Sequence, residues 1–449
     1  MKRVRRAAVA GAVTVVVVAL VGPSAPAGSP AASRGPVTDF DGDGYEDFVI
    51  PNEFGTVDGE RFAGYVGVVY GSATAHKPRT QVISQNSPGV PDRAEQNDSF
   101  GVNPTTADLD GDGYTDLVVS AFGEFRGPDR TVLWGGPRGL SGGTAIDVGS
   151  GPGVTGDFDG DGHLDLATAG MVAYGPVTRR DGAARTAKFA LDTGEHSSDD
   201  ELDKWETFDL AAGDVNGDGI TDLLATAWVD YDANLVGPPF LLYLRGTPDR
   251  LARPKTVENA KGKDLRGGQA LATGDLDGDG IDDVLFGDVY DTDDGHVGVV
   301  PGSASGPDGG DATVVRARSG DRDFGSALAV GDVDGDGDLD AAIGSPWSPV
   351  NKRELQGRVA VLMGDGSGRL TGKGAQSIDR AACDLPAGGS DVHRFASDVR
   401  LADLNADGRA ELLTSWIVDN RIRGYCVLPG TSGGPAGSNP YFIEAPKYR

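Results

Sequence analysis

Cysteine, methionine and histidine are scarce in this chain, at two, three and five residues among 449. The histidines, His76, His163, His196, His296 and His393, are scattered without metal-ligand spacing. Basic residues are also outnumbered, with 40 Lys and Arg against 68 Asp and Glu and a formal charge of −28. Beyond MKRVRR at the start there is no basic cluster. Nucleic-acid binding is therefore disfavoured, because affinity for phosphates needs concentrated Lys and Arg. Helical periodicity of useful length is absent, and no apolar run outside the N-terminus could span a bilayer. What the chain does have is 70 Gly and 26 Pro, a turn-rich composition suited to many short strands.

The N-terminus reads as an export signal over residues 1–27. MKRVRR is its positive region, residues 7–21 its apolar region, and Ala25 and Ala27 its small-residue cleavage pattern. An uncleaved anchor is the alternative. A linker over 28–35 then leads into a repeat domain over 36–449, expected to be secreted and extracellular with no membrane span after cleavage. In an exported chain the pair Cys383 and Cys426 is most simply a disulfide, with two free thiols as the other possibility. On the loop-entropy model such a bridge stabilises by roughly 4 kcal/mol.

One nine-residue unit recurs seven times. It reads DFDGDGYED, DLDGDGYTD, DFDGDGHLD, DVNGDGITD, DLDGDGIDD, DVDGDGDLD and DLNADGRAE, starting at residues 39, 108, 157, 214, 275, 332 and 403. The second position is apolar in every copy, and a short apolar run follows the ninth. A further β-like segment ending in Gly lies downstream, as in VGVVYGS, TVLWGG and YCVLPG, and an alternating segment such as SALAVGD leads into the unit. That gives three to four short strands per repeat. The fold class expected is all-β: a seven-bladed β-propeller with a calcium loop in each blade, since radial packing of small blades limits exposed strand edges. An open solenoid fits worse, because the intervals vary from 49 to 71 residues and distinct capping repeats are missing.

The pattern D-x-D-x-D-G-x-x-D places side-chain oxygens at positions 1, 3, 5 and 9 and a backbone carbonyl at 7, with glycine at 6 allowing the turn that converges them. A hard cation wanting six to eight oxygens explains this set, and calcium suits it better than magnesium, which demands stricter octahedral geometry. The sets are Asp39, Asp41, Asp43, Tyr45 and Asp47 in loop 1, and Asp108, Asp110, Asp112, Tyr114 and Asp116 in loop 2. Loop 3 has Asp157, Asp159, Asp161, His163 and Asp165, and loop 4 has Asp214, Asn216, Asp218, Ile220 and Asp222. Loop 5 has Asp275, Asp277, Asp279, Ile281 and Asp283, and loop 6 has Asp332, Asp334, Asp336, Asp338 and Asp340. Loop 7 has Asp403, Asn405, Asp407, Arg409 and Glu411; with Ala406 at its fourth position it is the site expected to be weak or empty. Up to seven Ca²⁺ are therefore expected, in a structural role.

These repeats resemble the FG-GAP family, also called VCBS-type repeats, known from the seven-bladed propeller of integrin α subunits. Phe100-Gly101 and Phe324-Gly325 lie eight residues before loops 2 and 6, Phe395-Ala396 lies likewise before loop 7, and copy 5 has Gly267-Gly268 there. GSP at 344–346 stands where the family's GAP would fall, while copies 1, 3 and 4 lack the Phe-Gly pair. The resemblance implies calcium loops on one face and a family diverse in role, from adhesion to sugar binding to domains of secreted enzymes. Tail residues 442–445, FIEA, are candidates for the strand that closes the ring.

Catalytic motifs are few. GTSGG at 430–434 fits G-x-S-x-G around Ser432 but occupies a blade-end turn. GPGVTG at 151–156 fits G-x-G-x-x-G but leads into a metal loop rather than a helix. His196 sits in the polar insertion EHSSDDELDK, and the acidic VYDTDDGHVG at 289–298 reads as a surface hairpin. The five tryptophans mostly fall in or beside strands, where core packing is the default. The expectation is a monomeric extracellular binding or adhesion module for a protein or glycan, without its own catalytic machinery. A secreted hydrolase or lyase acting on polysaccharide is the alternative, and histidines clustered with Arg and Tyr would favour it.

Overall fold

The computed structural model describes residues 38–448, apart from 75, 123–128, 150, 192–203, 231–238, 290–293, 319–320, 349–356, 386–392 and 436–438. Residues 1–27, expected to be an export signal, residues 28–35, expected to be a linker, and His196 lie outside the described residues. The chain forms seven antiparallel sheets. Blade 1 holds β1 (Phe48–Asn52), β2 (Tyr65–Tyr70) and β3 (Arg79–Ile83). Blade 2 holds β4 (Val102–Ala107), β5 (Asp116–Ser120), β6 (Arg130–Trp134) and β7 (Ser141–Ile146). Blade 3 holds β8 (Gly153–Gly156), β9 (Asp165–Thr168), β10 (Met171–Thr178) and β11 (Gly182–Lys188). Blade 4 holds β12 (Lys204–Gly213), β13 (Asp222–Asp230), β14 (Phe240–Leu244) and β15 (Lys255–Thr256). Blade 5 holds β16 (Ala270–Gly274), β17 (Asp283–Asp288), β18 (His296–Val300) and β19 (Thr313–Arg316). Blade 6 holds β20 (Ala327–Gly331), β21 (Asp340–Ser345), β22 (Arg358–Met363) and β23 (Thr371–Asp379). Blade 7 holds β24 (His393–Ala402), β25 (Glu411–Val418), β26 (Arg421–Leu428) and β27 (Tyr441–Glu444).

The chain is thus an all-β seven-bladed propeller. Strands pair with their sequence neighbours throughout, so each blade is a meander. The strand after each acidic loop is an unbroken apolar run because it is covered on both faces, as in β5 (DLVVS) and β21 (DAAIGS), where every residue is buried. Outer strands such as β19 (TVVR) are mostly exposed and more polar, which blunts an otherwise open edge.

The core lies between blades. Phe100 and Val119 of blade 2 pack with Val66 and Val68 of blade 1. Phe324 wedges likewise between Val297 and Val299 of blade 5 and Ile343 of blade 6, and Phe395 between Val359 and Val361 of blade 6 and Leu412 of blade 7. This is the physical content of the Phe-Gly signature: an aromatic plug followed by a turn residue at positive φ, Gly101 at 101°, Gly325 at 97° and Ala396 at 65°. Where copy 5 has Gly267, the ring of Phe286 from the adjacent strand fills the space, coming within 2.9 Å of where a Cβ would stand.

The tail segment FIEA does not cross between blades. Tyr441–Glu444 pairs with β26 and completes blade 7. The ring closes instead by side-chain packing of Phe48, Ile50 and Val69 in blade 1 against Leu413, Tyr425 and Val427 in blade 7. Cys383, in a 3-10 turn at Arg380–Cys383, is disulfide-bonded to Cys426 on β26, tying the exit of blade 6 to blade 7.

Asp209 on β12 is buried and accepts the backbone N–H groups of Leu210 at 3.0 Å and Leu271 at 2.8 Å, linking blade 4 to blade 5. Burial pushes its carboxyl up to about 8. An unfolded Asp ionises near pH ~4, so between about pH 4 and 8 the folded state holds the extra proton and stability falls as pH rises. Asp209→Asn keeps an acceptor and carries no charge. Its melting temperature should gain on the parent's as pH goes from about 5 to 8, and parallel melting curves across that range would contradict this assignment.

Candidate metal centres and the opposite face

The seven loops lie together at one end of the ring; six join the first and second strands of a blade, and loop 1 leads into β1. Their second-position side chains anchor them from below, with Phe40, Phe158, Val215 and Val333 completely buried. Position 1 caps each turn: the Asp39 carboxylate accepts N–H groups from Gly42 at 2.6 Å and Gly44 at 3.0 Å, and Asp157 those of Asp161 at 3.0 Å and Gly162 at 2.9 Å. Position 6 is a glycine with φ between 84° and 93° in all seven copies, a conformation that side chains resist. The position-7 N–H donates to the position-5 carboxylate, as Tyr45 does to Asp43 at 3.1 Å and Asp338 to Asp336 at 3.0 Å.

Position 9 is a staple as well as a candidate ligand. One oxygen of Asp47 accepts from Phe40 N at 2.8 Å and the other from Gly71 N at 2.8 Å. Asp116, Asp165, Asp283 and Asp340 repeat this arrangement. Carboxyl oxygens of positions 1, 3 and 5 come within 4.8 Å of one another in loops 1, 5 and 6, and those of positions 1, 3 and 9 do so in loops 2 and 3. The two asparagine loops differ. Asn216 donates its amide to Asp222 at 2.6 Å and Asn405 to Glu411 at 2.6 Å, so a neutral N–H sits where the other loops gather charge.

Burial without a counter-charge pushes Asp47 and Glu411 up to about 8, Asp116, Asp165 and Asp222 to about 7, and Asp283 and Asp340 to about 6. The Oδ1 atoms of Asp41, Asp110 and Asp159 are buried without a hydrogen-bond donor. Their other oxygens meet arginines stacked on aromatic rings. Arg79 lies 2.5 Å from Asp41 and over Tyr70; Arg179 lies 2.5 Å from Asp110 and over Trp134; Arg185 reaches Asp159 from over Tyr174. Each arginine holds one oxygen of its carboxylate and leaves the other without a donor. This donor set, all hard oxygen, fits a bound cation.

The loops also touch each other, which sequence reading did not anticipate. The main chains of Asp39 and Thr115 bond between loops 1 and 2 at 2.9 Å, those of Asp157 and Thr221 between loops 3 and 4 at 2.9 Å, and those of Asp214 and Asp282 between loops 4 and 5 at 3.0 Å. Asp403 N donates to Glu46 at 2.8 Å, joining loop 7 to loop 1 across the seam. The visible trace of this contact is the polar residue at position 8: Glu46, Thr115, Thr221 and Asp282.

At the opposite end of the strands a cavity of about 480 Å³ opens among blades 1, 2, 3, 4 and 7. Asn52, at the end of β1, and Val102, at the start of β4, place it away from the loops. Its walls mix Phe54, Phe122 and Phe208 with Arg394, Arg400 and Arg421. Glu53 also lines it, and burial raises that carboxyl above its ordinary range. Of the histidines whose side chains are described, none meets another there: His76 packs on Tyr441, His163 is in loop 3, and His296 lies 4.0 Å from Asp288 in blade 5. His393 begins β24. Ser432 is an exposed turn residue, and Gly153–Gly156 forms β8 rather than a phosphate-binding loop.

Together these features define a propeller with an acidic face of loops and a concave basic face. A family model described as FG-GAP repeat matches residues 100–131 and 324–362, segments that begin at the two intact Phe-Gly pairs. The chain therefore carries FG-GAP repeats on a propeller consistent with that of integrin α subunits. Similar solved structures include a GH43 beta-1,3-galactosidase with galactodeoxynojirimycin, at TM-score 0.38 and 8% identity over 85% of this chain and 99% of that one. An exotype rhamnogalacturonan lyase is similar at TM-score 0.28 and 16% identity over 96% of this chain, which spans 61% of the lyase. No curated protein matches the sequence. Among the described residues, no helix is long and apolar enough to cross a membrane.

Proposed function

We propose that this protein is an extracellular, calcium-stabilised binding or adhesion module that takes a protein or glycan ligand on the face opposite its acidic loops. The observation that carries this reading is the division of the two faces. Convergent carboxylates with buried oxygens that lack a donor lie at one end of the ring, and an Arg-lined cavity lies at the other. Calcium would be held by the acidic side chains at positions 1, 3, 5 and 9, and would supply the positive charge that their burial lacks. The disulfide suits an oxidising compartment. Glu53 is the only carboxylate among the described lining residues, and glycoside hydrolysis generally takes two. That favours retention of a ligand over its turnover.

Glu53 also supports the second reading, a secreted polysaccharide hydrolase or lyase, since a desolvated carboxyl can serve as a general acid. An array of glycans and extracellular proteins, probed with the calcium-loaded chain, separates the two. Retention with the ligand recovered at its original size is expected. Shortened or unsaturated products would replace the binding reading with the enzymatic one.

A further inference from the structure

Within a chain of net charge −28, the cavity lining has three arginines and one glutamate. Arg400 is engaged by Asp398, Tyr425 and the Val49 carbonyl, so it shapes the wall. The other two arginines are different. Arg421 is exposed, without a hydrogen bond or ion pair among the described residues. Arg394 donates to Asn420 at 2.6 Å and stacks near Trp347, but its Nε is buried without an acceptor and no described carboxylate faces it. Two cationic donors therefore line one concavity whose single carboxylate, Glu53, forms no ion pair with either of them among the described residues. Such a geometry concentrates field on a small anion.

The rest of the lining narrows the ligand's chemistry. Phe122 is 57% exposed, one of very few large apolar side chains so placed, and with Phe54 and Phe208 it offers flat apolar surface. Asn52, Asn103 and Asn420 share the lining; Asn52 donates to the Tyr65 hydroxyl at 2.9 Å and Asn420 accepts from Arg394, which leaves the Asn52 oxygen, the Asn420 amide N–H and Asn103 to meet a ligand. Ser99, Asn103 and Asn420 hold φ of 52°, 49° and 58°, left-handed conformations that cost energy and gather at ligand sites. Flat apolar faces flanked by amides suit the ring and hydroxyls of a sugar. The size is that of a small-molecule site, with room for a short oligosaccharide.

We propose that this cavity binds a carboxylate-bearing oligosaccharide, with Arg394 and Arg421 taking the carboxylate and the phenylalanines and asparagines taking the ring and hydroxyls. This rests on the binding-module reading and names its ligand. Unlike the acidic loops, it needs no metal in the site.

The test is calorimetric titration of the calcium-loaded full chain, at fixed free calcium, with three probes: a glucuronic acid trimer, its carboxyl-reduced neutral counterpart, and a triaspartate peptide. The acidic trimer should bind and the neutral one should bind at least ~10-fold more weakly, as loss of charge-assisted hydrogen bonds implies. Arg421→Ala should lose about 10-fold in affinity with an unchanged melting temperature, Arg394→Met should do likewise, and added salt should weaken the acidic trimer selectively. Equal affinity for the neutral trimer, indifference to Arg421→Ala, or preference for triaspartate would overturn the proposal while leaving the module reading in place. Failure of every glycan and protein on the array to bind would overturn both.

Discussion

Stripping divalent cations with EDTA should lower the melting temperature by on the order of 10 °C, and calcium should restore it. Five loops bring three acidic groups each within 4.8 Å. A ligand at ten times its dissociation constant stabilises the folded state by about 1.4 kcal/mol, so five such sites sum to about 7 kcal/mol. A domain of this class has a total stability of about 5–15 kcal/mol, and at this size each kcal/mol moves the midpoint by roughly 2 °C. The effect should also be cooperative. The loops are tied to one another through Thr115, Thr221, Asp282 and Glu46, so losing a cation from one loosens the main chain that positions the next. Magnesium should restore less than calcium, because the smaller ion demands near-ideal octahedral geometry and dehydrates reluctantly. A melting curve unmoved by EDTA would remove the metal assignment.

The repeat made the fold legible. A constrained nine-residue unit, copied seven times before an apolar run, leaves few ways to bury its strands other than a ring of blades. The acidic positions were equally plain, because local spacing alone brings them together. Less visible was how evenly that local rule is broken. Asn216 and Asn405 turn their amides onto the ninth-position acid, which sets loops 4 and 7 apart from the other five in the same way. The arginines that hold Asp41, Asp110 and Asp159 come from residues 38, 69 and 26 positions away along the chain, and nothing in the local pattern announces them. The cavity was out of reach for the same reason. Its walls combine residues of five blades, from Pro51 to Ile422, and each looks like an ordinary strand-end or loop residue until the ring closes.

Closure itself is the weak point of such a ring, and Asp398→Ala should open it at a cost of about 3–5 kcal/mol, the range for stranding one partner of a buried ion pair. Among the described residues no strand is exchanged between blades 1 and 7, so the seam depends on packing, on the bonds between loops 1 and 7, and on a polar cluster around Asp398. Asp398 is completely buried and accepts from Arg400 at 2.9 Å and from the Tyr425 hydroxyl. Arg400 donates on to the Val49 carbonyl of blade 1 at 2.9 Å, while the Tyr425 ring stands edge-on to Phe48 at 5.6 Å. Burial pulls the guanidinium toward neutrality, and Asp398 and Tyr425 push back harder, so it stays charged. Removing Asp398 leaves that charge inside with only neutral partners. The double variant Asp398→Ala/Arg400→Met should recover much of the loss, since it removes the uncompensated charge and keeps the volume of a long side chain. Hydrogen exchange should localise the damage to β1 and β26, where the two blades meet, before the rest of the ring responds. Uniform loss of protection around all seven blades, or a double variant no better than the single one, would mean that the cluster is not what holds the seam.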